Sequence, residues 1–131
     1  MKLIGDLYTV ENTHDAADDM AYGFDIRLNP AHFIYKVHFP GHPITPGVCL
    51  IQMVAELASL AEGCDLYVRN IKTAKYTGLV SPDDITRLSF IFTQRTEIEG
   101  GGLKVQTMVT AADNPEVLYS KFSVTLVKDK F

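Results

Sequence analysis

Hydrophobic and polar residues alternate along most of this chain, and the alternation predicts strands on both sides of one helix. Residues 3–10 and 20–28 are predicted to be extended, with a polar turn over 11–19 between them. Strand-like alternation returns at 66–76 and continues to residue 126, interrupted by turn signals at 81–84, 100–102 and 113–115. The pattern predicts two strands, one long helix and then an antiparallel meander of three or four strands.

The segment between the two groups of strands holds the predicted helix. Residues 30–46 contain four of the six prolines and are predicted to be irregular. From Pro46 to about Glu62 apolar residues recur at helical spacing, with Thr45 as the expected N-cap and Gly63 as the stop signal. Because the helix is apolar nearly all the way round, we expect it to be buried on most faces. The expected fold class is α+β, with one antiparallel sheet wrapped around one long central helix.

The predicted helix has one polar stripe. Gln52, Glu56 and Ser59 stand at positions i, i+4 and i+7 and therefore share a face. A sheet that curls around a single helix leaves an edge strand unpaired. A dimer that joins two sheets edge to edge would cover that strand, so we expect a homodimer, with a higher assembly of dimers also compatible.

Length, composition and charge narrow the class of protein. The chain has 131 residues, which predicts a single domain over 1–131, and its 47% hydrophobic content excludes disorder. The net charge is −4, and the first nineteen residues account for it with five acidic residues against one lysine. Without a basic block, the chain is not expected to bind nucleic acid.

Targeting signals and cysteines point to one compartment. Residues 1–6 lack the basic and apolar regions of a signal peptide. Gln52 and Glu56 interrupt the longest apolar stretches far short of the ~20 residues that cross a bilayer, so no membrane insertion is expected. Cys49 and Cys64 form no CxxC pair and fit small buried hydrophobes. These features predict a cytoplasmic protein.

Candidate chemistry lies in the loop at residues 38–48, HFPGHPITPGV. Its prolines fix φ and its glycines allow close backbone approach just before a helix start, whose N–H groups and positive potential suit a carbonyl oxygen that gains charge. His38 titrates near neutral pH and could take a proton beside that carbonyl. No metal is expected, because Pro40 and Gly41 prevent the helix that would align His38 with His42.

Residues 38–58, HFPGHPITPGVCLIQMVAELA, resemble the HFPGxPxxPGVxxxE segment of the 3-hydroxyacyl-[acyl-carrier-protein] dehydratases of type II fatty acid synthesis. Residues 79–84, LVSPDD, are similar to the VxPGD turn of the same family, with Asp83 in place of its glycine. Members of this family have the hotdog fold, in which a sheet wraps a long helix. The order of predicted elements agrees with that fold over essentially the whole chain.

The resemblance implies an activity and a set of roles. The reaction would be removal of water from a (3R)-hydroxyacyl thioester on acyl carrier protein to give the trans-2-enoyl product, without a cofactor. His38 would remove the C2 proton, and the Gly47 N–H would bind the thioester carbonyl. Phe39, Pro46 and Val48 would line the substrate site, and the acyl chain would enter an apolar tunnel at a dimer interface. The second catalytic residue would come from the partner subunit.

At that second catalytic position the sequence departs from the family. Gln52 stands where the family has a glutamate or, in a sister branch, an aspartate. An amide can hold a leaving hydroxyl but cannot deliver a proton. Glu56, where the family often has glutamine, and His42 are alternative donors, and His38 alone could shuttle the proton. Loss of a general acid typically costs a factor of about 10²–10⁴ in rate.

Two other functions remain open from the sequence. A weakly active or non-catalytic subunit that binds acyl-ACP and pairs with a competent relative is favoured by Gln52. A hotdog thioesterase would need a carboxylate near the helix, and Glu56 could serve. Arg69, Lys72 and Lys75 form a small basic cluster that fits either an acidic carrier protein or ordinary exposed surface.

Overall fold

The computed structural model describes residues 2–129, which form one six-stranded antiparallel sheet and one long helix. The strands are β1 (Tyr8–His14), β2 (Tyr22–Leu28), β3 (Tyr67–Tyr76), β4 (Arg87–Glu97), β5 (Leu103–Ala111) and β6 (Asn114–Val127), and the helices are α1 (Ile34–Val37) and α2 (Gly47–Glu62). The sheet order is β1-β2-β4-β5-β6-β3. This is the expected α+β class. No helix within residues 2–129 is long and apolar enough to cross a bilayer.

The core lies between α2 and the concave face of the sheet. On the helix, the buried residues are Cys49, Leu50, Ile51, Met53, Val54, Ala55, Glu56, Leu57 and Ala58. Alternate residues of the central strands meet them, among them Leu88, Phe90 and Phe92 of β4, each fully buried. Full burial of each such side chain contributes roughly 1.5–3 kcal/mol. The expected hotdog arrangement of a sheet around one helix is confirmed.

The first predicted strand is displaced along the chain. Residues 3–7 form a turn rather than a strand, with Gly5 at φ +85° and the Leu7 N–H bonded to the Leu3 carbonyl (2.8 Å). Strand β1 pairs with β2 and extends into the predicted polar turn as far as His14, whose ring lies 2.9 Å from the Asp25 carboxylate. Polar residues on an outward face are compatible with a strand, which the pattern alone did not show.

Of the two predicted ends of α2, only the C-terminal end is confirmed. Gly63 ends the helix as predicted, at φ +72° with its N–H on the Ser59 carbonyl. The predicted N-cap is wrong, because Pro46 occupies that position and the Thr45 hydroxyl instead bonds the buried Tyr35 hydroxyl (2.8 Å). Helix α1 was not predicted.

Strand β3 is the edge strand next to β6, so only β4, β5 and β6 form the predicted meander. Two register irregularities interrupt its ladder, between Val68 and Asn70 and between Ile71 and Thr73. Because opposed residues in an antiparallel pair project to the same face, its inward residues are those opposite the buried Ser120, Phe122, Val124 and Leu126. Yet Ile71 is 45% exposed and Tyr76 is 49% exposed. The inner face of β3 is therefore left uncovered by this chain.

Candidate active site

The main chain of His38 is fixed on both sides. Its N–H donates to the Ile34 carbonyl and its carbonyl accepts from the Ile44 N–H, both at 2.9 Å. Phe39 and His42 exchange two backbone hydrogen bonds (3.1 and 2.9 Å), which close the turn between them. The His38–Phe39 peptide is cis. The half-buried His38 ring stacks on Phe39, with centroids 4.3 Å apart.

Buried hydrogen bonds join this loop to the rest of the fold. The Thr45 N–H donates to the Val80 carbonyl (2.7 Å), and the Thr45 hydroxyl pairs with Tyr35. Burial raises the pKa of Tyr35, so its hydroxyl keeps its proton. Val80 precedes the turn at residues 81–84, which is confirmed by the bond from the Asp84 N–H to the Ser81 carbonyl (3.0 Å). The loop that carries His38 is thus held against α1 and against this turn.

A second histidine stabilises the start of α1. The Nδ1 atom of His32 accepts the Ile34 N–H (3.1 Å), and its Nε2 lies 3.0 Å from an Asp6 carboxylate oxygen. Because Nδ1 accepts, the ring proton is on Nε2 and is donated to Asp6. From the sequence, His32 resembles a surface residue; the structure buries it to 8% exposure. It supports the segment that leads to His38.

The start of α2 lies directly after the loop. The Pro46 carbonyl accepts from the N–H groups of Cys49 (3.0 Å) and Leu50 (3.3 Å). No side chain caps the helix, and within residues 2–129 no acceptor bonds the N–H groups of Gly47 and Val48. These two donors therefore remain available at the positive end of a 16-residue helix.

Tyr76, which the sequence did not single out, lies against the start of α2. A Cβ atom placed on Gly47 would be 2.5 Å from the Tyr76 Oη and 2.6 Å from its Cζ. The phenol ring meets Phe122 edge-on, with centroids 5.6 Å apart. Partial burial raises the pKa of Tyr76. Gly47 therefore leaves room for this phenol.

Glu56 is buried within a set of four donors. Its carboxylate accepts the N–H groups of Leu3 and Ile4 (2.8 Å each), the Tyr8 hydroxyl (2.9 Å) and the Gln52 amide (3.0 Å). Burial, and after it the Glu56 charge, raises the pKa of Tyr8 far above its usual range. Through these bonds Glu56 ties the N-terminal turn to the middle of α2. A catalytic role for Glu56 stays a prediction, and it would require the carboxylate to give up some of these bonds.

The polar stripe of α2 faces a cavity of about 710 Å³ between the helix and the start of β3. Gln52, Glu56 and Ser59 all line it, which confirms that they share one face; the other lining residues include Leu60, Cys64, Leu66 and Val68. His38 does not line this cavity. This cavity therefore contains Gln52 without His38 of the same chain.

The remaining predicted substrate-binding residues surround the start of α2. Pro46 is buried, whereas Phe39 is 52% exposed and Val48 is 71% exposed.

Burial raises the pKa of the Cys49 thiol, which therefore stays protonated and packs as a small apolar group. Within residues 2–129 no group of three or more His, Cys, Asp or Glu side chains is placed to hold a metal ion.

Sequence relatives point to dehydratases. Residues 13–110 match the family model of the ApeI-like proteins, described as ApeI dehydratase. The 3-hydroxyacyl-[acyl-carrier-protein] dehydratase FabZ of Wolbachia pipientis wMel is 41% identical over 67 residues, 46% of each chain. FabZ of Lactiplantibacillus plantarum is 32% identical over 93 residues, 65% of this chain and 60% of that protein. The matches thus span about half the length of these curated relatives.

Two solved structures share the fold. A chain of the dehydratase heterocomplex ApeI:P from Xenorhabdus doucetiae superposes with a TM-score of 0.66 at 16% identity, over 90% of this chain and 96% of that one. An uncharacterized protein from Erwinia carotovora subsp. atroseptica gives 0.63 at 22% identity, over 93% and 97%. This chain therefore shares its fold with a chain of a dehydratase heterocomplex. Since the family model covers well over half of the sequence, the chain belongs to the ApeI-like dehydratase family.

Proposed function

We propose that this chain is a dehydratase that removes water from (3R)-hydroxyacyl thioesters to give trans-2-enoyl thioesters. The observation that carries the proposal is the placement of His38. Its backbone is hydrogen-bonded on both sides. A short loop separates it from the start of α2, where two N–H groups are uncapped. A base and an electrostatic site for a carbonyl oxygen are the two parts that proton removal beside a thioester needs.

In the proposed reaction the His38 imidazole takes the proton from C2 of the substrate. The electrons left on C2 delocalise onto the thioester oxygen, where the Gly47 N–H and the positive end of α2 stabilise the charge. Formation of the C2–C3 double bond then expels the hydroxyl from C3. Phe39, Pro46 and Val48 are proposed to contact the substrate around this point.

The leaving hydroxyl needs a proton, and Gln52 cannot supply it. The amide of Gln52 is proposed to hold the hydroxyl by a hydrogen bond while the protonated His38 returns the C2 proton to it. The products are then the enoyl thioester, water and neutral His38, so the proton balance closes with one titrating residue. No metal or cofactor is required in this scheme.

A second copy of the chain is proposed to complete the site. His38 does not line the Gln52 cavity of its own chain, and the inner face of β3 is uncovered beside that cavity. Pairing of the β3 edges of two copies would cover the inner face of β3 in each copy. It would also bring His38 of one copy toward Gln52 of the other. The acyl chain would then lie beside α2 at the shared boundary.

The carrier is proposed to be acyl carrier protein. The curated relatives are named for that carrier. Arg69, Lys72 and Lys75 are all exposed along β3, a cation row suited to an acidic partner. A cytoplasmic location stays a prediction.

The test is turnover by the purified protein. We expect conversion of 3-hydroxyacyl-ACP to the 2-enoyl form, followed by enoyl absorbance and mass spectrometry, and loss of all turnover in His38→Ala. His14→Ala, which alters an exposed histidine on β1, is the matched control and should retain activity. Full turnover by His38→Ala would exclude the proposed base, and slower turnover of the CoA thioester would support the carrier.

One observation favours a second candidate, an acyl-ACP-binding subunit with little chemistry. The Glu56 carboxylate beside Gln52 accepts four hydrogen bonds, one of them from Gln52 itself, so neither residue offers a ready proton. The solved neighbour from X. doucetiae is itself part of a heterocomplex. Binding of 3-hydroxyacyl-ACP without turnover would support this candidate. Release of free thiol would instead indicate the thioesterase alternative.

A further inference from the structure

Tyr76 places a hydroxyl group at the start of α2, where no other side chain caps the helix. The position that a Gly47 Cβ would occupy lies 2.5 Å from the Tyr76 Oη. The Gly47 N–H has no acceptor within the described chain. The phenolic donor therefore lies against the residue whose backbone N–H is unbonded.

The phenol is held there by its surroundings. Its ring meets the buried Phe122 edge-on. Directly after β3, the N–H groups of Thr77 and Gly78 both donate to the Tyr119 carbonyl (2.9 and 3.2 Å), which fixes the strand end that carries Tyr76. A donor that is already positioned needs little reorganisation when charge develops on a substrate.

The phenol acts as a donor across the working pH range. Partial burial raises its pKa, which keeps the proton on Oη. An oxyanion at the helix start would accept from this proton and from the Gly47 N–H. An aromatic residue without the hydroxyl would keep the packing but offer no hydrogen.

We propose that the Tyr76 hydroxyl is the second donor of the oxyanion hole, binding the thioester oxygen together with the Gly47 N–H. The inference rests on the proposed function, because it assigns a partner to the oxygen of that substrate. Tyr76 keeps its proton throughout and only donates a hydrogen bond. It is thus a catalytic residue that touches the substrate and that no motif of the sequence marks.

The test compares Tyr76→Phe with Tyr119→Phe. Tyr119 is a half-buried tyrosine on β6 that contacts Gly78 rather than Gly47, so its variant controls for loss of a phenol hydroxyl. We expect Tyr76→Phe to lower kcat/KM for 3-hydroxyacyl-ACP by about 10²–10³-fold, the effect of removing one oxyanion-hole donor. Tyr119→Phe should stay close to wild type.

A binding measurement separates this inference from the reaction itself. A saturated acyl thioester and the matching thioether, in which CH₂ replaces the carbonyl, differ only at the proposed acceptor. Tyr76→Phe should weaken thioester binding by roughly 2–10-fold, the effect of one hydrogen bond, and leave thioether binding unchanged.

Each outcome decides one of the two proposals. Wild-type turnover with an unaffected Tyr76→Phe would overturn the role of Tyr76 and leave the dehydratase. Absence of wild-type turnover would overturn the proposed dehydratase function. In that case, a preference for thioester over thioether that is lost in Tyr76→Phe would still support the Tyr76 hydroxyl as a hydrogen-bond donor to the thioester oxygen. If wild-type protein shows no preference for thioester over thioether, Tyr76 is not an oxyanion donor.

Discussion

The amide of Gln52 donates a 3.0 Å hydrogen bond to the carboxylate of Glu56, one helical turn further along α2. The bond turns an Nε2–H of Gln52 toward Glu56. Glu56 in turn holds the N-terminal turn through Leu3 and Ile4. The two residues therefore form one unit, in which a change at either position alters the charge and hydrogen bonding of the other.

Restoring a carboxyl group at position 52 is expected to succeed only when position 56 changes as well. Gln52→Glu alone would place two carboxyl groups about 3 Å apart, where both cannot ionise at once. The exchange variant Gln52→Glu with Glu56→Gln removes that repulsion and supplies a general acid. We expect it to raise kcat/KM above wild type by up to about 10²–10⁴-fold, measured with 3-hydroxyacyl-ACP.

The single variants serve as controls for the exchange. Gln52→Glu should gain less than the exchange variant at pH 7, and its gain should be largest toward acidic pH. If the exchange variant is no faster than wild type although it remains folded, the proton does not come from this side of the site.

Removing the Glu56 carboxylate is expected to destabilise the fold strongly. Glu56→Ala leaves the buried Leu3 N–H, the partly buried Ile4 N–H and the buried Tyr8 hydroxyl without their acceptor, and each unsatisfied buried donor costs about 1–3 kcal/mol. We expect a loss of at least ~3 kcal/mol in the free energy of unfolding, measured by urea denaturation. Glu116→Ala, at an exposed position on β6, is the matched control. Surface substitutions usually change the free energy of unfolding by no more than ~0.5 kcal/mol. A Glu56→Ala loss that differs from the control by no more than this would contradict the anchoring role.

Acid is expected to weaken the contact between the end of α2 and β4. Two 2.7 Å bonds from Arg95 hold the pKa of Glu62 below its usual range, assisted by the Tyr22 hydroxyl. Because the folded pKa is lowered, the contribution is present above the unfolded value of about 4.3 and is lost as the pH falls through the folded pKa.

Thermal unfolding between pH 7 and pH 3 tests this dependence. Glu62→Gln should be less stable than wild type at pH 7, and the difference should shrink as the pH falls below about 4.3. Glu99→Gln, an exposed glutamate between β4 and β5, should show no such convergence. A constant difference across the range would exclude the ion pair as its source.

A charge on the inner face of β3 is expected to separate the proposed dimer. Ile71 is 45% exposed in the single chain, and Ile71→Lys would bury an unpaired ammonium group in the proposed interface. We expect a monomer by light scattering, with normal circular dichroism and loss of turnover. Val117→Lys changes an exposed apolar residue outside β3 and should remain dimeric. A monomeric wild-type protein, or a dimeric Ile71→Lys, would contradict edge pairing.

Local patterns were sufficient for α2, for the strands after residue 66 and for the loop. Alternation located the strands after residue 66, and helical spacing located α2, because both depend on neighbours within a few positions. The irregular loop from His38 to Val48 could be predicted from the sequence, since its prolines fix φ and its glycines allow conformations that other residues avoid. The first strand was misplaced because polar outward residues resemble a turn.

Contacts between distant residues could not be predicted in this way. Tyr76 reaches Gly47 only because β3 crosses to the far edge of the sheet and pairs with β6, which no local pattern determines. Glu56 accepts the Leu3 N–H across 53 positions of sequence, so the sequence does not reveal that this candidate acid also anchors the N-terminal turn. In both cases the polar partner belongs to a segment whose position depends on the completed fold.

The register irregularities of β3 have a consequence for self-association. A straight, unbroken edge can add further chains without limit and so start fibre growth, whereas a bulged edge is twisted and matches few partners. Strand β1, at the opposite rim of the sheet, carries an irregularity between Val10 and Asn12. Both rims thus carry irregularities that oppose amyloid-like stacking, and the proposed pairing of β3 edges would end at a closed dimer.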